Sequence, residues 1–173
     1  MFSGNFRFDD FLWVSFIFVI VPSLIGVFLV RRASARRISP WRESVKLYVY
    51  AATVGFFSAA AWLSWNSHSG IADFVRRGAP AHYPPWQIVC CGATVILGSL
   101  AVSLLYARFF SDVLIVSGLT GAGFSAAFVI DASFGVPAQE GIGVVFSYIG
   151  ISCLCGLVNI AGFIGSTLYR RSK

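Results

Sequence analysis

The sequence predicts an all-α integral membrane protein, a compact bundle of about five transmembrane helices with its N-terminus outside and its C-terminus cytosolic. Three observations carry this. Of 173 residues, 57% are hydrophobic and 12% charged, about half the charged share of a soluble domain. Uncharged runs long enough to cross a bilayer recur along the whole chain and leave no polar helix faces. The cations between the runs fall mainly on one side. One transmembrane domain over residues 1–173 is the expected organisation.

The first span is expected over Phe11–Val30. These twenty residues carry no charge, and at 1.5 Å of rise each they cover the roughly 30 Å of hydrocarbon. A secretory signal would begin with a positive region, whereas Asp9 and Asp10 here face the single Arg7, so the span is expected to be retained. Pro22 lies inside it and predicts a kink, because proline removes one amide donor and crowds the preceding turn.

Further spans are expected over Leu47–Trp65, Ile88–Tyr106, Val113–Ile130 and Gly143–Leu168. Gly118, Gly121, Gly123, Ser117 and Ser125 dilute the fourth and admit a re-entrant segment as the alternative. The fifth is longer than a crossing requires and must tilt, kink or project. With five spans, Arg31, Arg32, Arg36, Arg37, Arg42, Lys46, Arg108, Arg170, Arg171 and Lys173 share one side, against Arg7, Arg76 and Arg77 on the other. Ten against three puts the first side in the cytosol. Trp13, Trp62, Trp65 and Trp86 then fall near the outer interface, and Trp41, Tyr48, Tyr106 and Tyr169 near the inner one, as amphipathic rings do.

Small residues at spacing four mark where helices can approach closely. Ala51, Gly55 and Ala59 form one such stripe, Ser99, Ser103 and Ala107 a second, and Gly118, Ala122 and Ala126 a third. Ser152 and Gly156 begin a fourth, continued by Gly162 and Ser166. These stripes serve packing within one chain, self-association, or contact with another protein subunit.

No Asp, Glu, Lys, Arg or His lies inside a predicted span, which argues against proton pumps, charge-coupled transporters and voltage sensors. Asn159 is the most polar residue at depth. It is expected to hydrogen-bond across helices, or alternatively to line a polar path. Asp131 ends the fourth span beside a loop containing Glu140 and is a second polar candidate. Cys90, Cys91, Cys153 and Cys155 lack the Cys-x-x-Cys spacing of thiol oxidoreductases. Depth along the helices separates the two pairs beyond disulfide reach, so they are expected to pack as small hydrophobes.

His68 and His82, with Asp73 between them, match no metal-ligand spacing. Neither metal nor cofactor is therefore expected. The same outer loop, Asn66–Gln87, has room for a short interfacial helix around Ile71–Arg77. The basic loop is the most distinctive charged feature. Arg31, Arg32, Arg36, Arg37, Trp41 and Arg42 suit anionic lipid head groups or an acidic partner surface. Simple positive-inside bias also accounts for them, and specific nucleic-acid binding is not expected from so short a tethered loop.

These features predict a non-enzymatic membrane subunit, a scaffold, anchor or sensor, multi-pass in a bacterial inner membrane. A homo-oligomeric channel or small-solute carrier is the alternative, and a membrane-bound redox enzyme the third.

Overall fold

The computed structural model describes residues 6–34, 41–65, 70, 82–133 and 137–172; of these, the side chains of 41–43, 131–132, 137–140 and 171 are left out. Arg36, Arg37, His68, Asp73 and the interfacial helix expected over 71–77 lie outside the described residues. So do the side chains of Trp41, Arg42, Asp131 and Glu140.

The described residues form helices and no strand. In chain order these are α1 (Phe8–Ser15), a π-helical stretch (Phe16–Ile20), α2 (Val21–Ala33), α3 (Trp41–Leu63), α4 (Pro85–Tyr106), α5 (Phe110–Ala132) and α6 (Pro137–Arg171). With α1, the π stretch and α2 running as one rod, five helices are long and apolar enough to cross a membrane.

Their directions alternate. The Arg7 amide donates to the Ser133 carbonyl at 3.0 Å, joining the start of the first rod to the end of α5. Arg31 donates to the Tyr48 hydroxyl at 2.7 Å, joining the end of that rod to the start of α3. The Tyr83 hydroxyl donates to the Leu63 carbonyl at 2.7 Å, bringing α4 in beside the end of α3. The starts of α3 and α5 and the ends of α2, α4 and α6 therefore share one end of the bundle, which carries Arg31, Arg32, Arg108 and Arg170. The other end gathers Trp62, Trp65 and Trp86, with ring centroids 6.3 Å apart for each of the two pairs that Trp86 makes.

Pro22 explains the π stretch. Proline offers no amide to the carbonyl four residues back, and its ring crowds that carbonyl. Here the helix widens just before it: the Val21 amide reaches back five residues to Phe16, and the Ser23 hydroxyl donates to Val19 at 2.6 Å. The expected distortion thus takes the form of a π-bulge.

α5 occupies the centre. It is one unbroken helix of 23 residues, long and apolar enough to cross a membrane, and it is the most enclosed of the five. Its small residues admit neighbours on several sides. At Gly123 an added methyl would lie 2.8 Å from the Ala52 carbonyl carbon, and at Gly55 it would lie 2.8 Å from the Phe124 nitrogen and within the radius of the Thr120 carbonyl oxygen. α3 and α5 therefore cross backbone to backbone. Gly121 does the same against α6, 2.7 Å from the Tyr148 carbonyl oxygen. Close approach of this kind drives association where lipid supplies no hydrophobic force between helices.

α6 spans 35 residues, about 52 Å at 1.5 Å per residue, so it exceeds a bilayer's hydrocarbon at one or both ends. Leu24, Phe28, Leu97, Leu105, Phe146 and Leu157 point outward, each at least 60% exposed. A girdle of that size is untenable in water and natural in lipid, which is compatible with a multi-pass membrane protein.

Candidate functional site

Polar groups in the bundle interior collect where α4, α5 and α6 meet. Asn159 of α6 is completely buried. Its Nδ2 donates to Ser99 Oγ of α4 at 2.9 Å and to Ser117 Oγ of α5 at 3.0 Å. Thr120 of α5 donates to the same Ser99 oxygen at 3.3 Å, and the Ser117 hydroxyl donates to the Val113 carbonyl at 2.9 Å. One amide thus ties three helices together.

The arrangement is incompletely satisfied. Asn159 Oδ1, an acceptor with two lone pairs, is buried without a hydrogen-bond partner among the described residues, as are the hydroxyls of Ser103 and Ser152. Ser103 lies one turn beyond Ser99 toward the arginine-bearing end, and Ser152 two turns before Asn159. Farther along the α5–α6 seam, Ser125 and Ser147 bond at 2.9 Å. A broken file of hydroxyls therefore accompanies Asn159. A deep asparagine was visible in the sequence; its serine and threonine company was not, because these residues are common in membrane helices and only the helix rotations aim them at one point.

Two further polar residues went unanticipated. Gln87 was assigned to the outer loop, yet α4 starts at Pro85 and encloses Gln87 completely. Its Nε2 donates to the carbonyls of Trp62 and Trp65, the latter at 2.7 Å, and so caps the end of α3, whose last carbonyls lack helical partners. Asp112 is 2% exposed. Its Oδ2 accepts the Arg108 and Phe109 amides at 3.1 Å each, the reach-back of a capping-box acid at the start of α5. The Ser111-Asp112 pair directly before an apolar run was a readable signal for that cap.

The packing residues distribute unevenly. Ala51, Ala59 and Ala122 are buried in three separate apolar clusters, and Ala126 packs against the cluster of Ala122. Gly55 sits at the α3–α5 crossing, and a methyl at Gly156 would just touch Ser117 at 3.9 Å. Gly118 has nothing within 4 Å of where a methyl would stand; Gly121 and Gly123 make the close contacts of α5.

All four cysteines are free thiols. Cys91 and Cys155 enter one apolar cluster with Ala59, Val95 and Phe124, nearer each other than counting from the expected span starts implied; α4 begins at Pro85, three residues before Ile88. Among the described residues no group of three or more His, Cys, Asp or Glu could hold a metal.

At the arginine-bearing end Arg31 is bound to Tyr48 and Arg32 is exposed. The chain matches no family model, no curated protein and no solved structure.

Proposed function

We propose that this chain is a non-enzymatic integral membrane subunit, lodged in a bacterial inner membrane with its arginine-bearing end in the cytosol, where it scaffolds, anchors or senses for a partner protein. The observation that supports it is the outward face of α6. Gly143, Gly150 and Gly165 are exposed, with nothing within 4 Å of where a side chain would stand. Exposed glycines flanked by Phe146, Leu157 and Leu168 allow another helix to approach closely, as interfaces between membrane helices require. The basic loop after α2 is the second contact surface, toward anionic lipid or an acidic partner. The test is the mass and composition of the complex released from native membranes in mild detergent. A defined heteromer is expected, and a lone chain with measurable activity would sink the idea.

A homo-oligomeric channel or small-solute carrier is the second reading, favoured by the unpartnered Asn159 Oδ1 and the hydroxyls of Ser103 and Ser152. It requires that liposomes bearing the purified protein pass a small solute and that Asn159→Leu change the flux. Equal flux from empty vesicles counts against it. A membrane-bound redox enzyme, the third, ends if the protein keeps its function with all four cysteines replaced.

A further inference from the structure

α4 and α6 run side by side and in the same direction, and they touch where Gly162 would place a methyl 2.6 Å from Leu100 Cδ1. Beyond that contact, toward the arginine-bearing end, they enclose a groove of about 550 Å³, within the usual range for small-molecule sites. On α6 it is lined by Phe163, Ser166, Thr167 and Arg170. Their i, i+3, i+4, i+7 spacing puts them on one helix face. Ser103 and Arg108 line it from the α4 side.

The chemistry of this lining is graded. Arg108 lies two residues past the end of α4 and Arg170 in the last turn of α6, so two guanidinium groups flank the mouth. Below them are three hydroxyls. Ser166 and Thr167 donate to the Phe163 carbonyl at 2.9 and 2.8 Å, while Ser103 is 2% exposed and its hydroxyl has no partner among the described residues. Leu104, Leu105 and Phe163 make the remaining walls apolar. Asp112, at the start of α5, accepts the Arg108 and Phe109 backbone amides. Cations at the rim, hydroxyls beneath and hydrocarbon walls match an amphiphile with an anionic head.

We propose that the α4–α6 groove is a binding site for the phosphate head group of an anionic phospholipid, held by Arg108 and Arg170 with Ser103 as a further donor. Arginine forks suit phosphate oxygens. The assignment rests on this end of the bundle meeting a lipid–water interface and is independent of any partner subunit, so a chain that isolates alone still tests it.

The full chain, purified in neutral detergent, is offered phosphatidylglycerol and phosphatidylcholine of identical acyl chains in equal amounts, and retained lipid is counted by native mass spectrometry. Retention of one phosphatidylglycerol per chain in preference to phosphatidylcholine is expected. Arg170→Gln and Arg108→Gln should each lower that retention about fivefold, the effect of one cation near an anionic lipid. Arg7→Gln, at the opposite end of the bundle where Arg7 pairs with Asp10, should leave it unchanged. Equal retention of both lipids, unaltered retention in both groove variants, or an equal loss in Arg7→Gln would overturn the site. Inorganic phosphate is added at millimolar concentration as a competitor. Undiminished lipid retention supports the lipid, and displacement of phosphatidylglycerol would reassign the groove to free phosphate and overturn the lipid assignment.

Discussion

Asn159 Nδ2 stands 2.9 Å from Ser99 Oγ, on a helix sixty positions away in sequence, and the two residues are fully buried. Because the same amide also reaches Ser117, the relative rotation of α4, α5 and α6 is set by one side chain. Hydrogen bonds between membrane helices average about 0.6 kcal/mol, so this cluster contributes modest energy and strong directional preference.

Asn159→Ala should therefore lower stability by about 1 kcal/mol, two such bonds, in reversible unfolding by denaturing detergent. A double-mutant cycle with Ser117→Ala should return a coupling energy distinct from zero. Strict additivity of the two changes would mean that the hydrogen bond in the structure contributes nothing.

Gly123→Ala places a methyl against the Ala52 backbone, which cannot turn aside as a side chain can. A loss of about 1–3 kcal/mol, typical of overpacking, is expected. Gly118→Ala is the control. With nothing within 4 Å it should be neutral, or stabilising by up to about 1 kcal/mol through helix propensity. Equal thermal shifts for the two variants would contradict the backbone-to-backbone crossing of α3 and α5.

Removing the amide of Gln87 leaves the Trp62 and Trp65 carbonyls without their donor. Gln87→Leu should cost about 1–3 kcal/mol and loosen the end of α3. The readout is intrinsic fluorescence, since Trp62, Trp65 and Trp86 pack together there. Emission and quenching identical to the parent protein would show that the cap is dispensable.

Asp112→Ala removes the acceptor for two amides that open α5 and should cost about 1 kcal/mol, as helix caps commonly do. Asp112→Asn keeps one side-chain oxygen and should recover part of the loss. Faster amide exchange at Arg108 and Phe109 in the alanine variant distinguishes a lost cap from a general loosening.

Five apolar helices were legible along the chain because the requirement is local: a run of some twenty residues without charge either exists or does not, and hydrogen bonding within the segment then demands a helix. Pro22 announced its distortion for the same reason. Asn159 could be named as the deep polar residue because no other amide or charge lies inside the spans that the uncharged runs mark out. The boundaries were less accessible. Pro85 starts α4 early enough to enclose Gln87, since proline suits a first helical turn and the open carbonyls of α3 supply a reason for glutamine to be buried.

What only the tertiary structure decided was which faces meet. Gly118, Gly121 and Gly123 have the same composition and stand within two turns of one helix, yet two press on neighbouring backbones and one does not. Ser99, Ser117 and Thr120 are unremarkable letters until α4 and α6 are rotated against α5 and aim them at one amide. A hydrophobic run specifies that a helix forms and roughly how deep each residue lies. Rotation about the helix axis depends on partners far away in sequence, and no local pattern encodes it.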